Sequence, residues 1–188
     1  AGLSMNGAGA TYTLSGAGAI NSSGSVAVTA GSFTPSTSTL TMSGAGTTVR
    51  FTAPRQPYNL TVSAAGTVSI LTDDLSVGNA LTVNAGATFA TNATSLTVTG
   101  AASVAGTLTG SAAELITVNG GTSATGTINT NGGDFTTTSL TVSGTLVASG
   151  TETITVSGSI DFSNAGDNFT EASSTILMSG AGTTLNAP

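Results

Sequence analysis

The sequence predicts an all-β protein, a parallel β-solenoid of the right-handed β-helix type with irregular coils of about 20 residues. Two observations lead to this. Segments of the form apolar-Thr-Val recur: Leu60-Thr61-Val62, Leu81-Thr82-Val83, Leu96-Thr97-Val98, Ile116-Thr117-Val118, Leu140-Thr141-Val142 and Ile154-Thr155-Val156. Their spacings are 21, 15, 20, 24 and 14 residues, irregular in length but constant in type. Turn residues (Gly, Ser, Asn, Ala) follow each segment, and glycine at such corners supplies positive φ. The rest of the composition is poor in helix formers other than Ala, so helix is nearly excluded.

Along the chain, strands of three to five residues are expected, ending at Gly-Ala-Gly, Asn-Gly-Gly or Asn-Ala-Gly. Successive coils read as Asp74 to Thr94, Ser95 to Glu114 and Leu115 to Thr138. Period-two alternation places Leu60, Val62, Leu81, Val83, Leu96, Val98, Ile116, Val118, Leu140, Val142, Ile154 and Val156 inside the coil, with the intervening Thr outside. At about 4.8 Å per coil, nine or so coils give a rod on the order of 45 Å. All 188 residues form one domain, since solenoids grow by stacking coils rather than by enlarging one core.

A longer repeat overlies the short one. Residues 33–52 match residues 169–188 at eleven of twenty positions, with an offset of 136, and residues 3–11 carry a shorter echo. Met5, Met42 and Met178 hold the same place in the three copies, each filling an inward gap. The third copy stops at Pro188 where the second runs on through Pro54-Arg55-Gln56-Pro57, and the chain opens without an initiator Met. The expectation is a repeat unit or part of a longer chain or fibre, with no polar cap at either end.

Charge excludes several functions. Charged residues are 5% of the chain, the net charge is -6, His and Cys are absent, and the only cations are Arg50 and Arg55. Nucleic-acid binding needs a basic stripe, which two arginines do not make. No stretch approaches the roughly 18 apolar residues of a membrane span, so no membrane insertion is expected. Disulfides and thiolate metal sites are ruled out, as are triads that use His, Cys or Lys. A surface of Thr, Ser, Asn and Gly points to an extracellular or cell-surface setting.

Segments such as Tyr58-Asn59-Leu60-Thr61-Val62, Leu75-Ser76-Val77 and Leu81-Thr82-Val83-Asn84-Ala85-Gly86-Ala87-Thr88-Phe89 resemble the repeats of large bacterial and archaeal surface proteins of the autotransporter-passenger-like and filamentous-haemagglutinin-like kinds. The resemblance covers essentially the whole chain. It implies a right-handed parallel β-helix, surface display, and adhesion or fibre formation. It brings no catalytic motif.

Candidate sites are few. The carboxylates are Asp73, Asp74, Glu114, Asp134, Glu152, Asp161, Asp167 and Glu171. A polysaccharide-active β-helix enzyme needs such groups clustered, and only Asp73-Asp74 are adjacent, where a solvated turn explains them. The chain is read as no enzyme. No cofactor is expected. Calcium is the one metal whose loop is partly imitated, by Asp161, Ser163, Asp167 and Glu171, with Ala165 and Ala172 failing ligand positions. Glycosylation acceptor patterns occur at Asn21, Asn59, Asn92 and Asn168.

Thr-x-Thr pairs at Thr11/Thr13, Thr39/Thr41, Thr97/Thr99, Thr107/Thr109 and Thr153/Thr155 suggest an ice-binding lattice only if coil length is constant. Spacings of 14 to 24 argue against that. The function expected is a structural subunit of an extracellular filament, sheath or stalk that self-associates end to end into a homopolymer. The assembly residues expected are Met5, Met178, Leu185, Arg50 and Arg55. Arg50 and Arg55 flank Pro54, where coil regularity should break, and they should meet another subunit or form a local salt bridge. The alternative is a cell-surface adhesin or carbohydrate-binding passenger fragment that meets surface glycans.

Overall fold

A computed structural model of the chain describes residues 2–164 and 168–187. The described residues contain only strands and turns. Every strand pairing is parallel. The described residues form a β-solenoid of nine coils, each offering up to three strands, one to each side.

Side one is an unbroken nine-stranded sheet from Leu3–Met5 through Thr88–Ala90 to Asn168–Glu171. Side three runs from Ala19–Ser22 through Leu81–Val83 to Leu185–Asn186. Side two lies between them in each coil. It holds Thr11–Thr13 and Ser32–Thr34 as a separate pair, then runs from Leu75–Val77 to Thr175–Met178. The third coil has no strand on side two. Residues 52–57, with Pro54 and Pro57, take its place, because proline donates no backbone N–H and Arg55 N–H instead closes a turn on Thr52 O at 3.2 Å.

The sides explain the irregular spacing. Leu60, Leu81 and Leu140 belong to side three, whereas Leu96, Ile116 and Ile154 belong to side two. The motif series therefore hops between sides. Within one side the register is steadier: Leu75, Leu96, Ile116, Phe135, Ile154 and Ile176 are successive partners, at steps of 21, 20, 19, 19 and 22. One expected boundary moves. Phe135 is the partner of Ile116, so the coil that starts at Leu115 ends before Asp134 and not at Thr138. Phe135-Thr136-Thr137, Ala102-Ser103-Val104 and Thr122-Ser123-Ala124 are strand units that lack the apolar-Thr-Val form.

Two strands exceed the expected length. Leu115–Ala124 and Asp134–Val142 run from side two around the corner to side three. Their register shifts between Val118 and Gly121, and that irregularity stands where other coils use a turn.

The core is a thin column inside the coils. All twelve apolar residues expected inside are buried, and Leu60, Val62, Val83, Leu96 and Val98 among them are 0% exposed. Side one adds Val68, Phe89, Leu108, Ile128 and Leu146, stacked in register. Each such side chain contributes about 1.5–3 kcal/mol by leaving water. The corners are equally constrained. A Cβ on Gly44 would stand 2.0 Å from Ser23 O, and Gly46 has φ +68°. Only glycine meets both demands of the Ser-Gly-Ala-Gly turn.

The three methionine copies do not share a side. Met5 lies on side one, Met42 on side three and Met178 on side two. The repeated text specifies a strand and its corner, and each copy is mounted on a different side of the coil.

Candidate functional site

The acidic side chains are spread along the rod, and six of them bond to a neighbouring coil. Asp73 Oδ2 accepts Arg50 Nε at 2.6 Å and Thr52 Oγ1 at 2.8 Å. Asp74 Oδ1 accepts Ser95 N at 2.8 Å, and Glu114 Oε2 accepts Ser95 Oγ at 3.1 Å. Asp134 Oδ1 accepts Thr153 N at 2.7 Å. Asp161 Oδ1 accepts Ser163 N at 2.9 Å and Asn186 Nδ2 at 3.2 Å.

Glu152 is the buried member of this set, 2% exposed. Its Oε1 accepts Thr130 Oγ1 at 2.5 Å and its Oε2 accepts Gly150 N at 2.7 Å. Burial pushes its pKa up. The hydrogen bonds from Thr130 and from the Glu152, Gly150 and Ser149 backbone outweigh that and hold it below the usual range. Nothing in the sequence around Glu152 marks this role, because its partner Thr130 is a coil away. Asp73 is also lowered, chiefly by the Arg50 hydrogen bond and then by that of Thr52. Asp161 is lowered by its bonds to Ser163 first.

The two arginines separate. Arg50 makes the salt bridge to Asp73. Arg55 meets no carboxylate among the described residues. Its Nε donates to Gly31 O at 2.7 Å and its Nη1 to Thr52 O at 3.1 Å. Phe33 lies close by, packed on Phe51 with ring centroids 5.5 Å apart.

The calcium-like residues are divided. Asp161 sits on side three and Glu171 on side one, while Asp167 lies outside the described residues. Among the described residues no three His, Cys, Asp or Glu side chains gather as a metal site would require. Of the glycosylation patterns, Asn59 is half-buried in an amide ladder, its Oδ1 accepting Asn79 Nδ2 at 2.8 Å. Asn21, Asn92 and Asn168 are exposed, and Asn92 takes φ +51° in a turn.

The Thr-x-Thr pairs fall on all three sides. A rank does form on side one, where Thr67, Thr88, Thr107, Thr127 and Thr145 are successive partners. The parallel rank is Ser69, Ala90, Thr109, Asn129 and Val147, too mixed to make a two-rank lattice. Of the assembly candidates, Leu185 is 57% exposed, and Met5 and Met178 are half-buried against the core. Among the described residues no helix is long and apolar enough to cross a membrane. The chain matches no protein-family model, no curated protein and no solved structure.

Proposed function

We propose that the chain is a structural element, a rod in an extracellular filament, sheath or stalk, built by end-to-end stacking with further copies. The observation that carries this reading is the uninterrupted parallel stacking of coils along the described residues, with carboxylates bonded from coil to coil. Stacking one coil on another satisfies backbone groups and buries apolar area together, and the same ladder can run from one copy into the next. The inter-coil bonding of the acids supports the same reading, since it commits the ionisable side chains to holding the rod together. The Thr, Ser, Asn and Gly surface suits an extracellular setting.

If the ladders continue across the junction side on side, Asn168–Glu171 stacks over Leu3–Met5 of the next copy and Leu185–Asn186 over Ala19–Ser22. Met178 then meets the Thr11–Thr13 strand, and a Met178–Met5 contact requires rotation by one side. Such a heterologous contact need not close, so it propagates as a fibre. Negative-stain microscopy and light scattering over a concentration series test this. Filaments are expected from the unmodified chain, with Leu185→Lys folded but unable to elongate. Monomers at high concentration, or filaments of normal length from the variant, overturn it.

A further inference from the structure

We propose that the cleft beside Arg55 binds a sugar bearing a carboxylate, of the class of a uronic acid residue in a surface glycan. The cleft exists because the third coil has no strand on side two. Residues 52–57 leave the strand Ser32–Thr34 without a partner on that edge. An open space of about 370 Å³ remains, lined by Gly31, Ser32, Phe33, Pro54 and Arg55. That volume is within the range of small-ligand sites, which combine apolar walls with a few fixed polar groups. Here Phe33 and Pro54 supply apolar wall, Ser32 a hydroxyl, and Arg55 the charge.

Arg55 is preset for this task. A guanidinium carries five N–H donors. The bonds to Gly31 O and Thr52 O use two and fix the side chain, while the others have no carboxylate partner among the described residues. Arg50, the other arginine of the chain, is instead engaged by Asp73. A planar guanidinium held in this way favours a carboxylate. The net charge of -6 does not cancel it. Of the nearer acids, Asp73 is paired with Arg50 and Asp74 accepts Ser95 N. Acids from Glu114 onward lie three or more coils away, about 14 Å, beyond the Debye length of about 8 Å at physiological salt.

The test is titration of the full chain with digalacturonate, its methyl ester, and acetate, read by calorimetry and by backbone amide shifts. Digalacturonate is expected to shift Gly31, Ser32, Phe33 and Arg55 and to bind at least about tenfold more tightly than either comparison probe. Arg55→Gln is expected to weaken it about tenfold or more, with Arg55→Lys between, and high salt to weaken it also. Amide shifts on the unmodified chain keep the test decisive if a variant folds poorly. The proposal is overturned if the ester binds equally, if acetate alone reproduces the affinity, or if the shifts map elsewhere. It is equally overturned if Arg55→Gln changes only the oligomeric state, which would make the cleft a contact between copies. Contrary to the expectation that Arg55 serves assembly, it lies in the third coil, between Thr47–Phe51 and Asn59–Val62 and away from the stacked end strands, so filament formation by Arg55→Gln should be normal and failure here is separable from failure of end-to-end stacking.

Discussion

The hydroxyls of Thr122 and Thr137 meet inside the coil at 2.9 Å, joining side three of one coil to side two of the next. Both residues are buried. Thr137 Oγ1 also lies 3.0 Å from Gly120 O and from Ser139 O. The pair is therefore asymmetric. Thr122→Val leaves Thr137 with a carbonyl acceptor and should cost under about 1 kcal/mol. Thr137→Val strands the Thr122 hydroxyl and should cost about 1–3 kcal/mol, with the double variant recovering part of that. Urea unfolding of the three variants checks the order, and equal losses from the two single changes would contradict it.

Glu152 should govern part of the acid limb of stability. Its folded pKa lies below its ordinary value of 4.5, so its contribution is complete above about that pH. The contribution is lost as pH falls through the folded value. Glu152→Gln should lower stability at pH 7 by about 1–3 kcal/mol and flatten the fall below about pH 4.5. Melting temperatures from about pH 7 to about pH 2.5 measure both; an unchanged acid limb in the variant would assign the effect to other carboxylates.

Phe89 fills side one between Val68 and Leu108 and is 0% exposed. Phe89→Ala should cost about 3–5 kcal/mol. Each coil supplies its own layer of the column, here Phe89 with Leu96, Val98, Ala102 and Val104, so the loss should appear first as faster amide exchange in the flanking coils. Uniform exchange along the rod would count against that local picture.

The two corner glycines should differ. Gly46→Ala meets open space at positive φ, a backbone cost of about 1–2 kcal/mol. Gly44→Ala forces a methyl against the Ser23 carbonyl and should cost more. Thermal melts of the pair decide it, and a milder Gly44 variant would mean that the corner yields easily.

Much of the fold is legible in the sequence because its signal is local. Alternation places Leu60 and Val62 inside and Thr61 outside without any knowledge of the partner strand. The side each segment occupies is not legible, because Leu81-Thr82-Val83 and Leu96-Thr97-Val98 read alike yet belong to different sides. Strands without the motif, such as Phe135-Thr136-Thr137, escape for a related reason: their place is set by the coil beneath them. The site is less legible still. Arg55 stands out as a rare cation, but Phe33 and Gly31 reach it only through stacking, and no spacing rule joins residues 31 and 55. Glu152 and Thr130 are likewise a coil apart.

The mounting of Met5, Met42 and Met178 on three different sides makes the coil a text read in a frame of three. One strand with its corner is a letter, and the methionine-bearing letter stands at each of the three positions in the frame. Loss or gain of a whole letter shifts the reading frame downstream by a third of a turn while every inward residue stays inward. Loss of a single residue within a strand does the opposite, preserving the frame but turning the rest of that strand inside out. Length variation in this chain should therefore come in letters, and the rod can lengthen without ever duplicating a full turn.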